Sequence, residues 1–238
     1  MTSPNKPKKS LRPVAPGSSS SDIASFLEQV NALGRPAADD RHGRLLFSLD
    51  ATMSRQPAWD LACKLQGEMF KALSGTEALL VQLLYFRGIG ECKASKWVSD
   101  AGGLAQLMSG IDCRGGETQI GKVLSHARAE HARHKIGALV YVGDAVEEDV
   151  DRLAQKAGEL GLLGCPLFVF QEGHDARAEL AFREFARVSK GAYARFDANA
   201  PRELAALLRA VAAYAAGGRA SLKLQQTSSA KLLLGQLR

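Results

Sequence analysis

The feature that most constrains the fold is an apolar run that ends on an aspartate and is followed by hydroxyl side chains. Residues 45–49 read Leu-Leu-Phe-Ser-Leu, and Asp50, Thr52 and Ser54 follow at alternate positions. A short, mostly apolar run of this kind is typical of a buried parallel strand. We therefore expect the three oxygen-bearing side chains at the end of a strand, where open α/β sheets bind their ligands.

The chemistry of these three side chains favours a hard cation. One carboxylate and two hydroxyls are the oxygen ligands that Mg²⁺ and similar divalent ions prefer. The same pattern is also typical of a helix N-cap, in which Asp50, Thr52 or Ser54 accepts a backbone N–H of the helix that starts near Pro57. The three residues alone leave both interpretations open.

Two later segments extend the pattern. Residues 115–121 read Gly-Gly-Glu-Thr-Gln-Ile-Gly and place Thr118 before a predicted helix over 120–133. Residues 138–144 form a second apolar run that ends on Asp144. Together the three segments resemble the von Willebrand factor A domain, whose metal-ion-dependent adhesion site joins Asp-x-Ser/Thr-x-Ser, a distant threonine and a distant aspartate.

The resemblance covers residues 44 to about 216 and is to the cytoplasmic form of the domain found in bacteria. It implies a site for Mg²⁺ or Mn²⁺, with an open position that an acidic residue of a partner protein completes; an ATPase or a chaperone complex is the kind of partner it permits. Two departures stand out: the third loop reads Gly143-Asp144-Ala145 where Asp-Gly is usual, and the second position is Thr52 where serine is commoner. The implied metal ligands are Asp50, Thr52, Ser54, Thr118 and Asp144.

Alternating strands and helices predict an α/β fold, a three-layer, doubly wound, mostly parallel sheet of six strands. If the strand order is 3-2-1-4-5-6, strands one and four are neighbours, and Asp50 and Asp144 meet in the crevice at their carboxyl ends. The third strand is predicted at an edge. The predicted strands are 44–50, 79–86, 91–97, 138–143, 167–170 and 192–196, and the predicted helices are 57–74, 120–133, 146–162, 175–190 and 201–216.

Composition divides the chain into four regions: a disordered basic tail (1–20), an amphipathic helix and linker (21–43), the α/β domain (44–216) and a basic C-terminal tail (217–238), which is also expected to be disordered. Each tail carries four Lys or Arg and no acid, so the net charge of +6 belongs to the ends. Nucleic-acid binding is therefore expected only as weak, non-specific tail contacts. The absence of a long apolar stretch or an apolar leader predicts a cytoplasmic protein with no membrane span.

The motifs of two classes of phosphate-binding enzyme match the sequence less completely than the metal-ion-dependent adhesion site does. The segment 116–122 matches the Gly-x4-Gly-Lys of a phosphate-binding loop, but Val123 stands where Ser or Thr must hold Mg²⁺. A haloacid-dehalogenase-like, metal-assisted phosphoesterase acting through Asp50 is the alternative, although Thr52 cannot serve as its second acid. The sequence thus favours a divalent-metal-dependent protein-interaction module that is not an enzyme.

Overall fold

Five runs of mostly apolar residues and one more polar edge strand pair side by side into one sheet. The structure is a computed structural model that describes residues 42–53, 56–71, 78–197 and 201–237. The strands are β1 (His42–Asp50), β2 (Ala78–Arg87), β3 (Glu91–Val98), β4 (Ala138–Gly143), β5 (Leu167–Glu172) and β6 (Ala192–Phe196). Their order is β3-β2-β1-β4-β5-β6, and every pair is parallel except the β2–β3 hairpin. The predicted fold class and strand order, with the third strand at an edge, are confirmed.

Helices cover both faces of this sheet. They are α1 (Gln56–Leu65), α2 (Glu68–Lys71), α3 (Ala101–Ser109), α4 (Ile120–Arg133), α5 (Val150–Leu163), α6 (Ala176–Val188), α7 (Pro201–Leu224) and α8 (Ser228–Gln236). α4, α5 and α6 pack on one face, and the other helices pack on the opposite face. Successive residues of β1 point to opposite faces of the sheet, so Leu46 and Phe47 pack in different apolar cores. No helix of the described ranges is long and apolar enough to cross a membrane.

Two helix boundaries show how caps refine an apolar pattern. α5 begins at Val150 rather than at 146, because the Asp149 carboxylate accepts the backbone N–H of Arg152 at 3.0 Å and so fixes the first turn. α3 was not predicted. It starts in the same way, with the carboxylate of Asp100 accepting the N–H of Gly103 at 2.8 Å.

The C-terminal segment differs from its prediction as a disordered tail, which is wrong. α7 runs on to Leu224 across a kink at Gly217 and Gly218, and α8 follows. Apolar residues recur there at helical spacing and are buried against the α7 side of the sheet. Their burial explains why this segment is helical although it contains no acidic residue. The buried side chains are Leu222, Ala230, Leu233 and Leu237.

The predictions for the N-terminal tail and for the amphipathic helix after it lie outside the described residues, which begin at His42. Ser54 also lies outside them. The predicted helix over 57–74 is described as α1 and α2 as far as Lys71.

Candidate metal centre

The two aspartates of the predicted site leave adjacent strands at the same edge of the sheet. β1 and β4 pair with Leu49 opposite Val142, so Asp50 lies one residue beyond this pair and Asp144 two. Paired strands lie about 4.8 Å apart, and the carboxyl ends of parallel strands share one edge. The topology therefore brings together two residues that are far apart in the sequence.

The loop after β1 is held by a turn at its start. The Asp50 carboxylate accepts the backbone N–H of Thr52 at 2.8 Å, and both residues are buried, with 4% and 6% of their surface exposed. Backbone bonds also join Ala51 to its neighbours: its N–H donates to Phe86 O (2.9 Å), and its carbonyl accepts from Arg114 N–H (3.0 Å). The described bond from Asp50 thus closes a local turn within this first loop, and the helix N-cap interpretation is not needed to explain it.

The second loop of the site, which carries Thr118, and the third loop, which carries Asp144, are joined by a reciprocal pair of hydrogen bonds. The backbone N–H of Thr118 donates to the Glu147 carboxylate at 2.8 Å, and the backbone N–H of Glu147 donates to the Thr118 hydroxyl at 3.1 Å. Thr118 is buried, and Asp144 is partly exposed in the loop that carries Glu147. These bonds place the predicted threonine against the loop of the predicted aspartate.

The acids that follow Asp144 serve mainly at helix ends. The Glu148 carboxylate accepts the backbone N–H groups of Ile120 and of Gly121, the latter at 3.0 Å, at the N-terminus of α4. Burial raises the pKa of Glu148, and the two backbone hydrogen bonds oppose that shift. Asp149 caps α5. Asp149 and Glu148 therefore place negative charge at the positive ends of two helices, α5 and α4 respectively.

The glycine that precedes Asp144 in the third loop has a steric explanation. A Cβ atom at Gly143 would lie 2.5 Å from the Tyr141 hydroxyl oxygen, well inside contact distance. Only glycine fits beside this ring, which stacks on Phe86 in the core. Gly143 therefore lets the chain pass close to the Tyr141 ring at the residue before Asp144.

No family model and no curated protein sequence matches the chain. Solved structures do match it. A von Willebrand factor type A protein from Catenulispora acidiphila aligns with a TM-score of 0.58 at 13% identity, over 74% of this chain and 43% of that one. The chain has the von Willebrand factor A fold.

Two further solved structures that match the chain are metal-loaded. The proximal thread matrix protein 1 of the mussel byssus, with a zinc-occupied MIDAS motif, aligns with a TM-score of 0.57 at 13% identity, over 81% of this chain and 52% of that one. The manganese-loaded TRAP protein of Plasmodium vivax aligns with a TM-score of 0.50 at 16% identity, over 69% of this chain and 72% of that one. The chain spans about half the length or less of the Catenulispora and mussel proteins.

The donor set at this edge of the von Willebrand factor A fold suits a hard cation. The described residues offer the carboxylates of Asp50 and Asp144 and the hydroxyls of Thr52 and Thr118, all of them oxygen donors. Across the described ranges, no group of three or more His, Cys, Asp or Glu side chains is arranged to hold a metal. An ion at this edge would therefore depend on hydroxyl oxygens as well as carboxylates. The five ligand assignments stay a prediction, with Ser54 outside the described residues.

Proposed function

We propose that the chain is a divalent-metal-dependent protein-interaction module. Its ion, Mg²⁺ or Mn²⁺, would be held by Asp50, Thr52, Ser54, Thr118 and Asp144, and a carboxylate of a partner protein would complete the coordination. The observation that carries the proposal is that Asp50 and Asp144 leave adjacent strands while Thr118 is hydrogen-bonded into the third loop.

The charges of the edge explain why an ion is needed. Asp50 and Asp144 bring two carboxylates here, and Glu117 and Glu147 are exposed beside Thr118, so these four groups repel an acidic residue that approaches them without a cation. Asp50 and Asp144 would hold the ion and be neutralised by it, and the ion would supply a ligand position for an incoming oxygen. With the ion in place, this edge would attract a carboxylate instead of repelling it.

The metal-loaded mussel and Plasmodium proteins support a divalent ion as the occupant. The choice of Mg²⁺ or Mn²⁺ rests on the oxygen donors, since zinc prefers imidazole and thiolate ligands. An ATPase or chaperone complex as the partner and a cytoplasmic location stay predictions. The phosphoesterase alternative gains no support, because a second acid two residues after Asp50 is replaced by Thr52.

The proposal is tested by titrating the purified chain with MgCl₂ and MnCl₂ in a calorimeter. Asp50→Asn removes one of two carboxylate ligands and should weaken binding about tenfold or more, since a charged contact contributes roughly 1.5–3 kcal/mol. Asp151→Asn removes an exposed carboxylate on α5 and is the matched control, with unchanged affinity expected.

Equal metal affinity in the wild type and Asp50→Asn would contradict the proposed site. The same preparations are assayed for hydrolysis of p-nitrophenyl phosphate with Mg²⁺. Hydrolysis that requires Asp50 would favour the phosphoesterase instead, whereas the module predicts none above the buffer rate.

A further inference from the structure

The hairpin between β2 and β3 projects an apolar side chain at the same edge as the candidate metal centre. β2 runs parallel to β1, so its carboxyl end and the turn Gly88-Ile89-Gly90 lie at the edge where Asp50 leaves the sheet. Ile89 is 96% exposed. The glycines on either side have φ of +58° and +91°, so the backbone of the tip needs glycine at both positions.

This tip is held in place by the second loop. The Gln119 side-chain amide donates to the carbonyls of Arg87 (3.4 Å) and Gly88 (3.3 Å), and the Lys122 ammonium donates to the carbonyl of Gly90 (2.7 Å). Gln119 is itself buried and accepts a hydrogen bond from Lys122 at 2.9 Å. Three side-chain hydrogen bonds therefore hold the turn and the residue before it.

The backbones of the two segments also touch. A Cβ atom at Gly116 would lie 2.3 Å from the carbonyl oxygen of Gly88, so only glycine permits the approach. Gly116 lies two residues before Thr118, the threonine of the proposed metal site. Ile89 is thus presented from a turn that packs directly on the loop carrying that ligand.

The fold gains nothing from isoleucine at this position. Ile89 lies between the two glycines with positive φ, and at 96% exposure its side chain buries no apolar surface within the chain. A single exposed apolar residue is ordinary on a protein surface. Ile89 differs because its backbone is fixed, which lowers the entropy lost when it is buried by a partner. Met53, 66% exposed in the first loop, adds a second apolar side chain at this edge.

We propose that Ile89 is an apolar anchor of the partner-binding surface, next to the metal. The partner is a protein segment that presents one acidic residue to the ion and apolar side chains beside it to Ile89. Further acids in that segment are disfavoured, because Glu117 and Glu147 are exposed on the same edge. This inference rests on the proposed function and specifies the chemistry of its partner.

The test uses a library of random peptides displayed on phage, selected on the full chain in millimolar Mn²⁺. Peptides that survive are synthesised, and their affinities are measured for the wild type, Ile89→Ser and Leu162→Ser. Leu162 is 84% exposed near the C-terminal end of α5, which leads to the amino end of β5, and is therefore a matched control away from the site. Both substitutions are at exposed positions, and a thermal melt of each variant is the check that it is folded.

We expect selected peptides in which one Asp or Glu is flanked by apolar residues. Ile89→Ser should weaken their binding about tenfold, and Leu162→Ser less than twofold, with the Mn²⁺ affinity of both variants unchanged in calorimetry. A fully buried aliphatic side chain contributes enough to account for such a loss.

The outcomes separate the two proposals. Selection of no Mn²⁺-dependent peptide, or equal binding in EDTA, would overturn the metal-dependent module and this inference with it. Mn²⁺-dependent peptides that bind Ile89→Ser as tightly as the wild type would overturn the inference alone. An equal loss in Ile89→Ser and Leu162→Ser would also overturn it, because the effect would then be a general loss of surface hydrophobicity.

Discussion

The edge that carries the candidate metal centre and the layer formed by α7 and α8 are built in opposite ways. At the edge, buried polar side chains bond to backbone groups: Asp50 within its own loop, and Thr118 and Gln119 in other loops. In the helical layer, α7 buries almost only apolar side chains against the sheet. One region is organised by directed hydrogen bonds and the other by apolar packing.

The difference indicates where stability and function reside. Apolar burial contributes roughly 25 cal/mol per Å² and needs no special geometry, whereas a hydrogen bond contributes only about 1 kcal/mol net but fixes position. The helical layer is therefore expected to stabilise the domain. The edge is expected to position oxygen atoms, at little gain in stability.

The largest effect on stability is expected in the helical layer. Leu208 lies on α7 with none of its surface exposed, so Leu208→Ala leaves a cavity and should lower the free energy of unfolding by about 2–5 kcal/mol. Leu224→Ala, at a position that is 80% exposed, should change it by less than about 0.5 kcal/mol. Urea unfolding measures both. A loss below about 1 kcal/mol for Leu208→Ala would contradict the assignment of stability to this layer.

An intermediate effect is expected where the second loop meets the hairpin. Gly116→Ala places a methyl group 2.3 Å from the carbonyl oxygen of Gly88 and should cost about 1–3 kcal/mol of stability. Because the loop must move, Mn²⁺ affinity should fall as well. Gly115→Ala is the matched control, since a Cβ atom there meets nothing within 4 Å. Equal behaviour of the two variants in unfolding and calorimetry would show that the contact does not position the loop.

The smallest effect concerns a half-buried polar group away from both regions. His126 on α4 has a ring nitrogen 2.9 Å from the Gln82 side-chain oxygen. Burial lowers the pKa of His126 from its ordinary value of 6.5, with Arg133 adding to the shift and Glu130 opposing it. As the pH falls below 6.5 the unfolded chain takes up a proton before the folded chain does. This contribution to stability is complete above that pH and is lost as the pH falls towards the folded value.

The measurement is the difference in unfolding free energy between about pH 7.5 and about pH 5. His126→Gln should reduce that difference, while His134→Gln, at an exposed position, should leave it unchanged. Burial also lowers the pKa of His131, so part of the pH dependence should remain in His126→Gln. If His126→Gln leaves the difference intact, the imidazole is not protected from protonation in the folded domain.

The sequence predicted the sheet because each buried strand is a mostly apolar run, as in 138–143, and such short runs are typical of buried strands. It failed at α3, where Gly102 and Gly103 look like a turn until the capping carboxylate of Asp100 is taken into account. The prediction failed again over 217–237. The lack of acidic residues there suggested a solvated tail, but Leu222, Ala230 and Leu233 are spaced for burial on helices.

The candidate site was predictable only in part, for a related reason. Asp50 and Asp144 are marked by the strands that precede them, so the topology alone brings them to one edge. Glu147 does not directly follow a strand, so the apolar pattern does not single it out. Its bonds to Thr118 join backbone and side-chain atoms 29 residues apart, and no local spacing encodes a contact of that kind. The hydrogen bonds that hold the turn around Ile89 also join residues far apart in the sequence, which is why the sequence did not indicate them.

The most direct test is a crystal of the full chain grown with Mn²⁺ and examined for anomalous scattering. We expect one strong peak between the loops that follow β1 and β4, with oxygen atoms of Asp50, Thr52 and Thr118 at ligand distances of about 2 Å, directly or through water. A map with no manganese at this edge, or with the carboxyl groups of Asp50 and Asp144 more than about 10 Å apart, several ligand distances, would contradict the account.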